Sequence, residues 1–92
     1  MAKQCLRIII AGEVQGVSFR YYARQQAKAL GITGFVQNSP DGSVEIVAEG
    51  ETKALQKFLA WCKKGPPKAI VNKVRVTEKP FQGIFSTFIM RT

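Results

Sequence analysis

Apolar residues recur with a period of two in four stretches of the chain and with a helical period in two others. Residues 5–11 alternate, with Leu6, Ile8 and Ile10 on one face and Arg7 and Ile9 on the other, which predicts a first strand. After a glycine-bearing loop, Phe19, Ala23, Ala27 and Leu30 fall near one stripe while Arg24, Gln25 and Lys28 lie away from it. That spacing predicts a helix from about Tyr21 to Leu30, with Gly31 as its C-terminal cap. Residues 33–38 read as a second strand, and Ser39-Pro40-Asp41-Gly42 as a turn, because proline presets its second position and glycine suits its fourth. A third strand follows, with Val44, Ile46 and Ala48 facing one way and Glu45 and Glu49 the other, so the pair is an antiparallel hairpin. Leu55, Phe58, Leu59 and Cys62 give the i, i+3, i+4, i+7 stripe of a helix over Thr52–Lys64, stopped by Gly65-Pro66-Pro67. Val74 and Val76 alternate within a fourth strand over residues 69–78, and Val71 is one step out of phase, the mark of a bulge. Residues 84–90 complete the pattern as a short last strand. The order β-α-β-β-α-β with one extra strand predicts an α+β, split β-α-β sandwich with two helices on one face of an antiparallel sheet.

Composition narrows this without changing it. The chain has 92 residues, 46% hydrophobic and 22% charged, which suits a single domain over 1–92 with one modest core and no disordered tract. No apolar run approaches the roughly 20 residues of a membrane span, and the start MAKQCLRIII lacks a signal-peptide pattern. A cytoplasmic protein with no membrane partner is expected. Fourteen Lys and Arg against six Asp and Glu leave a charge of +8, which favours anionic partners but does not choose between a nucleic acid and a small phosphate. The lysines are scattered rather than clustered. Cys5 and Cys62 fit no metal spacing and the chain has no histidine, so a structural zinc site is excluded and two buried, inert thiols are expected.

The candidate chemistry lies in Gly12–Arg20, GEVQGVSFR, between the first strand and the first helix. A glycine-bearing loop that feeds a helix N-terminus can aim several backbone N–H groups at one anion. Arg20 would add a flat, permanently charged fork matched to two of its oxygens. Several phosphate chemistries drop out. The P-loop needs Gly-Lys before Ser or Thr, and Gly16 precedes Val17. Neither cysteine lies in the loop, phosphohistidine chemistry has no histidine to use, and no carboxylate cluster suggests a two-metal site. Glu13 and Asp41 read as solvated loop and turn residues. A cradle with no nucleophile still works on a substrate with a good leaving group, if a water is placed in line. Asn38 is the candidate for placing it, although asparagine before a turn is common for local reasons.

These residues closely resemble the acylphosphatase family. Ile10–Arg20, IAGEVQGVSFR, is similar to its first signature, with Gly12, Val14, Gln15, Gly16, Val17, Phe19 and Arg20 in place. Gly34–Gly50, GFVQNSPDGSVEIVAEG, is similar to its second, with Gly34, Asn38, Gly42, Val44 and Gly50 at the family's spacing. The resemblance spans nearly the whole chain, with only the end, FIMRT, matching loosely. It implies a ferredoxin-like βαββαβ sandwich and hydrolysis of the carboxyl–phosphate bond of small acyl phosphates, with no metal or cofactor. It also implies catalytic roles for Arg20 and Asn38. The phosphate would be held by Arg20 and the backbone of Gln15, Gly16, Val17, Ser18 and Phe19, and the attacking water oriented by Asn38. A monomer is expected.

Two other readings stay open. An RNA-binding module of the same topology would carry aromatics on its central strands, where this chain has Leu6, Ile8 and Ile10 and Val44, Ile46 and Ala48. No nucleic-acid partner is therefore expected. A non-catalytic domain that binds phosphate or carbamoyl phosphate within a larger assembly would keep the same cradle, although the short flanks favour a stand-alone enzyme. Nothing in the sequence marks an acyl pocket; Tyr21, Tyr22 and Phe35 could flank one, although each reads first as core or helix surface.

Overall fold

A computed structural model describes residues 2–92. The elements run β1 (Lys3–Glu13), α1 (Phe19–Ala29), β2 (Thr33–Asn38), β3 (Val44–Glu51), α2 (Thr52–Lys64), β4 (Ile70–Lys79) and β5 (Phe88–Met90). They form one sheet in the order β4-β1-β3-β2-β5, antiparallel throughout except for the parallel pair β2–β5. The predicted element order and the α+β, ferredoxin-like sandwich are therefore found.

Register places the alternating apolar residues on one face. Ile8 lies opposite Ile46, which lies opposite Val36, and Ile10 lies opposite Val44. These side chains meet Phe19, Ala23 and Ala27 of α1 and Leu55, Phe58 and Cys62 of α2 in a single core, with Phe88 of β5 closing it. Both helices thus cover the same face, as the period of each had indicated. Cys5 and Cys62 are free and buried, and burial pushes both thiols up from their ordinary range.

Several boundaries differ from the expected ones, β1 and the last strand most of all. β1 extends in both directions to Lys3 and Glu13 because it is central and paired on both sides. The bulge sits where Val71 falls out of phase: Ala11 pairs with Lys73 but Gly12 with Val71, which leaves Asn72 as the extra residue. Gly12 permits this approach, since a Cβ there would collide with the Ile70 carbonyl oxygen.

The last strand is shorter than expected. β4 and β5 occupy opposite edges of the sheet, so residues 80–87 must cross it, and only Phe88–Met90 remain to pair with β2. The crossing segment runs over the face opposite the helices. There Glu49 accepts hydrogen bonds from the Gln82 and Gly83 amides at 2.9 and 3.1 Å, and Phe85 packs edge-on to Phe35. That cover explains why Glu49, on the polar side of its strand, is only 2% exposed.

Candidate active site

The C-terminal ends of β1 and β2 and the N-terminus of α1 meet at one end of the sheet. β1 ends at Glu13, and Val14 is buried in the core, which pins the start of the loop. The chain then alternates in hand. Gly16 has φ 74° and Ser18 has φ 62°, ψ 25°, while Gln15, Val17 and Phe19 between and beside them keep negative φ. Alternation of this kind turns successive N–H groups toward one side and forms an anion-binding concavity. A Cβ at Gly16 would meet nothing within 4 Å, so glycine serves there for its φ and not for space.

Among the described residues, the backbone N–H groups from Gln15 to Tyr21 donate to no protein acceptor. They comprise the loop amides and the first amides of α1, which a helix leaves unpaired, and the helix dipole reinforces their positive potential. The helix starts at Phe19 rather than near Tyr21, so Arg20 lies in its first turn and not in the loop before it.

Two side-chain contacts join this loop to the strand that carries Asn38. The Gln15 Nε2 donates to the carbonyl oxygens of Ser39 and Ser43 at 2.8 and 2.9 Å, tying the loop to both ends of the β2–β3 turn. The Arg20 Nη1 donates to the Arg91 carbonyl oxygen at 2.5 Å, and the Arg91 amide donates to the Val36 carbonyl at 2.8 Å, two residues before Asn38. Arg20 and Asn38 are thereby anchored to neighbouring parts of one framework. Asn38, half-buried at the end of β2 and paired with Val44, makes no side-chain hydrogen bond to protein among the described residues.

The nearby acids are turn-building or solvated groups. Asp41 accepts from the Ser43 hydroxyl at 2.6 Å and the Ser43 amide at 2.9 Å, which holds its carboxyl below the ordinary carboxylate range. Glu13 is exposed at the strand end. No group of three or more metal-ligating side chains occurs among the described residues.

A cavity of about 230 Å³ is lined by Gly16, Val17, Ser18, Tyr22, Pro66, Pro67 and Lys68. Gly16 to Ser18 in this wall were legible in the sequence as loop residues and Tyr22 as a residue that could flank an acyl pocket, whereas the 66–68 segment was legible only as the stop of α2. Sequence reasoning missed the Gln15 side-chain bridge and the Arg91 anchor, both of which join residues more than twenty positions apart.

Comparison with known proteins agrees with this geometry. The acylphosphatase family model matches residues 6–90. An acylphosphatase of Acaryochloris marina is 49% identical over 84 residues, covering 91% of this chain and 89% of its own. The crystal structure of acylphosphatase from Bacillus subtilis superposes with a TM-score of 0.93 at 39% identity, covering 97% of this chain and 99% of that one. The full-length HypF structure, in a phosphate- and nucleotide-bound form, matches 99% of this chain with 12% of its own, at TM-score 0.86 and 28% identity. Two long signatures, the sandwich that carries them and near full-length similarity to named relatives place the chain in the acylphosphatase family, as a hydrolase of that family.

Proposed function

We propose that the protein hydrolyses the carboxyl–phosphate bond of small acyl phosphates by in-line attack of a water oriented by Asn38. The observation that supports this reading is the set of unspent amides from Gln15 to Tyr21, with the Gln15 side chain bonded to the turn after Asn38 and Arg20 joined through Arg91 to Val36. The phosphoryl group sits in the amide concavity and against the Arg20 fork, whose Nε and Nη2 remain available once Nη1 holds Arg91. Asn38 offers one acceptor and two donors, enough to hold a water and aim its lone pair at phosphorus. The water oxygen bonds to phosphorus as the phosphorus–oxygen bond to the acyl group breaks. A carboxylate leaves, and a phosphate oxygen takes the proton from the water. The carboxylate is a stable leaving group, so no strong protein base is needed; positioning and charge stabilisation suffice.

The HypF similarity favours one second reading, a phosphate-binding domain of a larger protein, because there the matched region is a small part of the chain. The RNA-binding reading gains nothing: on the face opposite the helices, central strands β1 and β3 present Arg7, Ile9, Glu45 and Val47, none of them aromatic.

The test is a pair of variants assayed for turnover and for inhibition by inorganic phosphate. Arg20→Lys should lose at least about 10²-fold in rate, because an ammonium cannot make the paired contact. Asn38→Ala should lose turnover while phosphate inhibition stays within a few fold, since water placement concerns the reaction more than the ground state. Near-normal turnover in Arg20→Lys, or parallel loss of phosphate inhibition in Asn38→Ala, contradicts the assigned roles. Phosphate binding without turnover by the unaltered protein selects the second reading.

A further inference from the structure

We propose that an apolar groove between α1 and the segment after α2 binds the acyl part of the substrate and favours flat, aromatic acyl groups. This rests on the acyl phosphate reading above and specifies what that reading leaves open. A cavity of about 420 Å³ is lined by Tyr22, Trp61, Lys64, Gly65, Pro66, Pro67 and Ala69. It shares Tyr22, Pro66 and Pro67 with the smaller, more polar cavity walled by Gly16, Val17 and Ser18, so the groove adjoins the space beside the loop. Tyr22 is 41% exposed although it is a large side chain in a helix, and it stands open to the groove.

The topology puts this groove where a leaving group must go. In-line displacement needs nucleophile and leaving group on opposite sides of phosphorus. The loop leaves β1, which lies between β4 and β3. Asn38 ends β2, on the β3 side of β1, while Gly65–Ala69 lead into β4 on the other side. The helix repeats the division. Arg20 reaches toward Arg91 beyond β5, and Tyr22, two residues and about 200° further round, turns toward Pro66. Water enters from the Asn38 side and the acyl group departs toward Tyr22 and Trp61. Their rings and two prolines suit stacking of a flat apolar group. Lys64 and Lys68 at the rim add attraction for the dianionic phosphoryl end.

Non-hydrolysable phosphonates that replace the bridging oxygen with methylene separate this proposal from the reaction itself. Phenacylphosphonate should inhibit acetyl phosphate hydrolysis about tenfold more tightly than acetonylphosphonate, the scale of one aromatic contact. Trp61 is the sole tryptophan, so phenacylphosphonate should change the intrinsic fluorescence more than inorganic phosphate does. Tyr22→Ala, at an exposed position, should erase most of the tenfold preference, read as the ratio of the two phosphonate inhibition constants. Equal inhibition by the two phosphonates, or a preference that survives Tyr22→Ala, overturns the groove as the acyl site. Absence of acetyl phosphate turnover by the unaltered protein is instead a failure of the hydrolytic reading.

Discussion

The Gln15 side-chain amide is divided between two carbonyl oxygens, those of Ser39 and Ser43, and so binds the loop between β1 and α1 to the turn entered from Asn38. Removing it in Gln15→Ala leaves half-buried carbonyls without their donor, at a cost of about 1–3 kcal/mol. A domain of this size should lose roughly 4–8 °C in Tm for each kcal/mol. On the proposed mechanism, kcat should fall more than phosphate inhibition does, because the bridge would set where the water stands relative to the loop amides. Gln15→Glu should be worse at neutral pH, as a carboxylate would face two carbonyl oxygens, and should recover as acid protonates it. Thermal melts and kcat at two pH values check both statements.

The C-terminal residues hold Arg20 in place. Arg91 accepts from the Arg20 Nη1 through its carbonyl, bonds to Val36 through its amide, and stacks its guanidinium 3.7 Å from the centre of the Phe35 ring. Deleting Arg91 and Thr92 should reduce kcat/KM by about tenfold, less than Arg20→Lys does, because the charge remains while its anchor goes. Arg91→Ala keeps the backbone contacts and should cost only a few fold. Equal losses in the deletion and in Arg91→Ala would locate the effect in the stacking instead.

Acid should weaken the face opposite the helices. Glu45 accepts from the Arg7 Nε at 2.7 Å and the Gln37 Nε2 at 2.8 Å, and the Arg7 contact above all holds its carboxyl below the ordinary value near 4.5. A carboxyl depressed in the folded state contributes stability that is present above the unfolded value and is lost as pH falls through the folded one. Glu45→Gln should therefore flatten the decline of stability below about pH 4.5, by about 1 kcal/mol or less since Arg7 is largely solvated. With no histidine, and both thiols raised, no such decline is expected from these groups between pH 5 and 8. Urea unfolding across pH 3–8 measures this.

Glu49 fastens the segment that crosses the sheet. Its two oxygens accept from the Gln82 and Gly83 amides while the residue is 2% exposed. Glu49→Ala should strand both amides, cost about 2 kcal/mol or more, and expose 80–87 to proteolysis before the rest of the chain. Cleavage elsewhere first, with 80–87 intact, would contradict the role of fastener.

Much of this molecule was readable from residue order, and the parts that were not share one cause. Alternation in β1 and β3 and the helical stripes identify the core face, because burial follows local period. Val71, one step out of phase, marked the bulge opposite Gly12. Ile84 and Phe85 looked like the start of a strand, yet they lie in the crossing that the opposite edges of β4 and β5 require. Gln15 was legible as part of the loop between β1 and α1, but its side chain acts on carbonyls 24 and 28 residues away. Tyr22 could flank a pocket but read first as helix surface, because the groove it lines is completed by the distant Pro66 and Pro67. Contacts between distant segments carry no local pattern, and the bracing of this site consists of them.

The central claim is hydrolysis by a phosphate cradle that needs a positioned water and no metal. Its most direct test is the loss of a small aromatic acyl phosphate, followed by ultraviolet absorbance with a chelator present, with Asn38→Ala and a phosphomonoester run alongside. Rapid hydrolysis of the acyl phosphate by the unaltered protein alone, with the monoester untouched, is the predicted result. Turnover abolished by the chelator, or retained in full by Asn38→Ala, would contradict it.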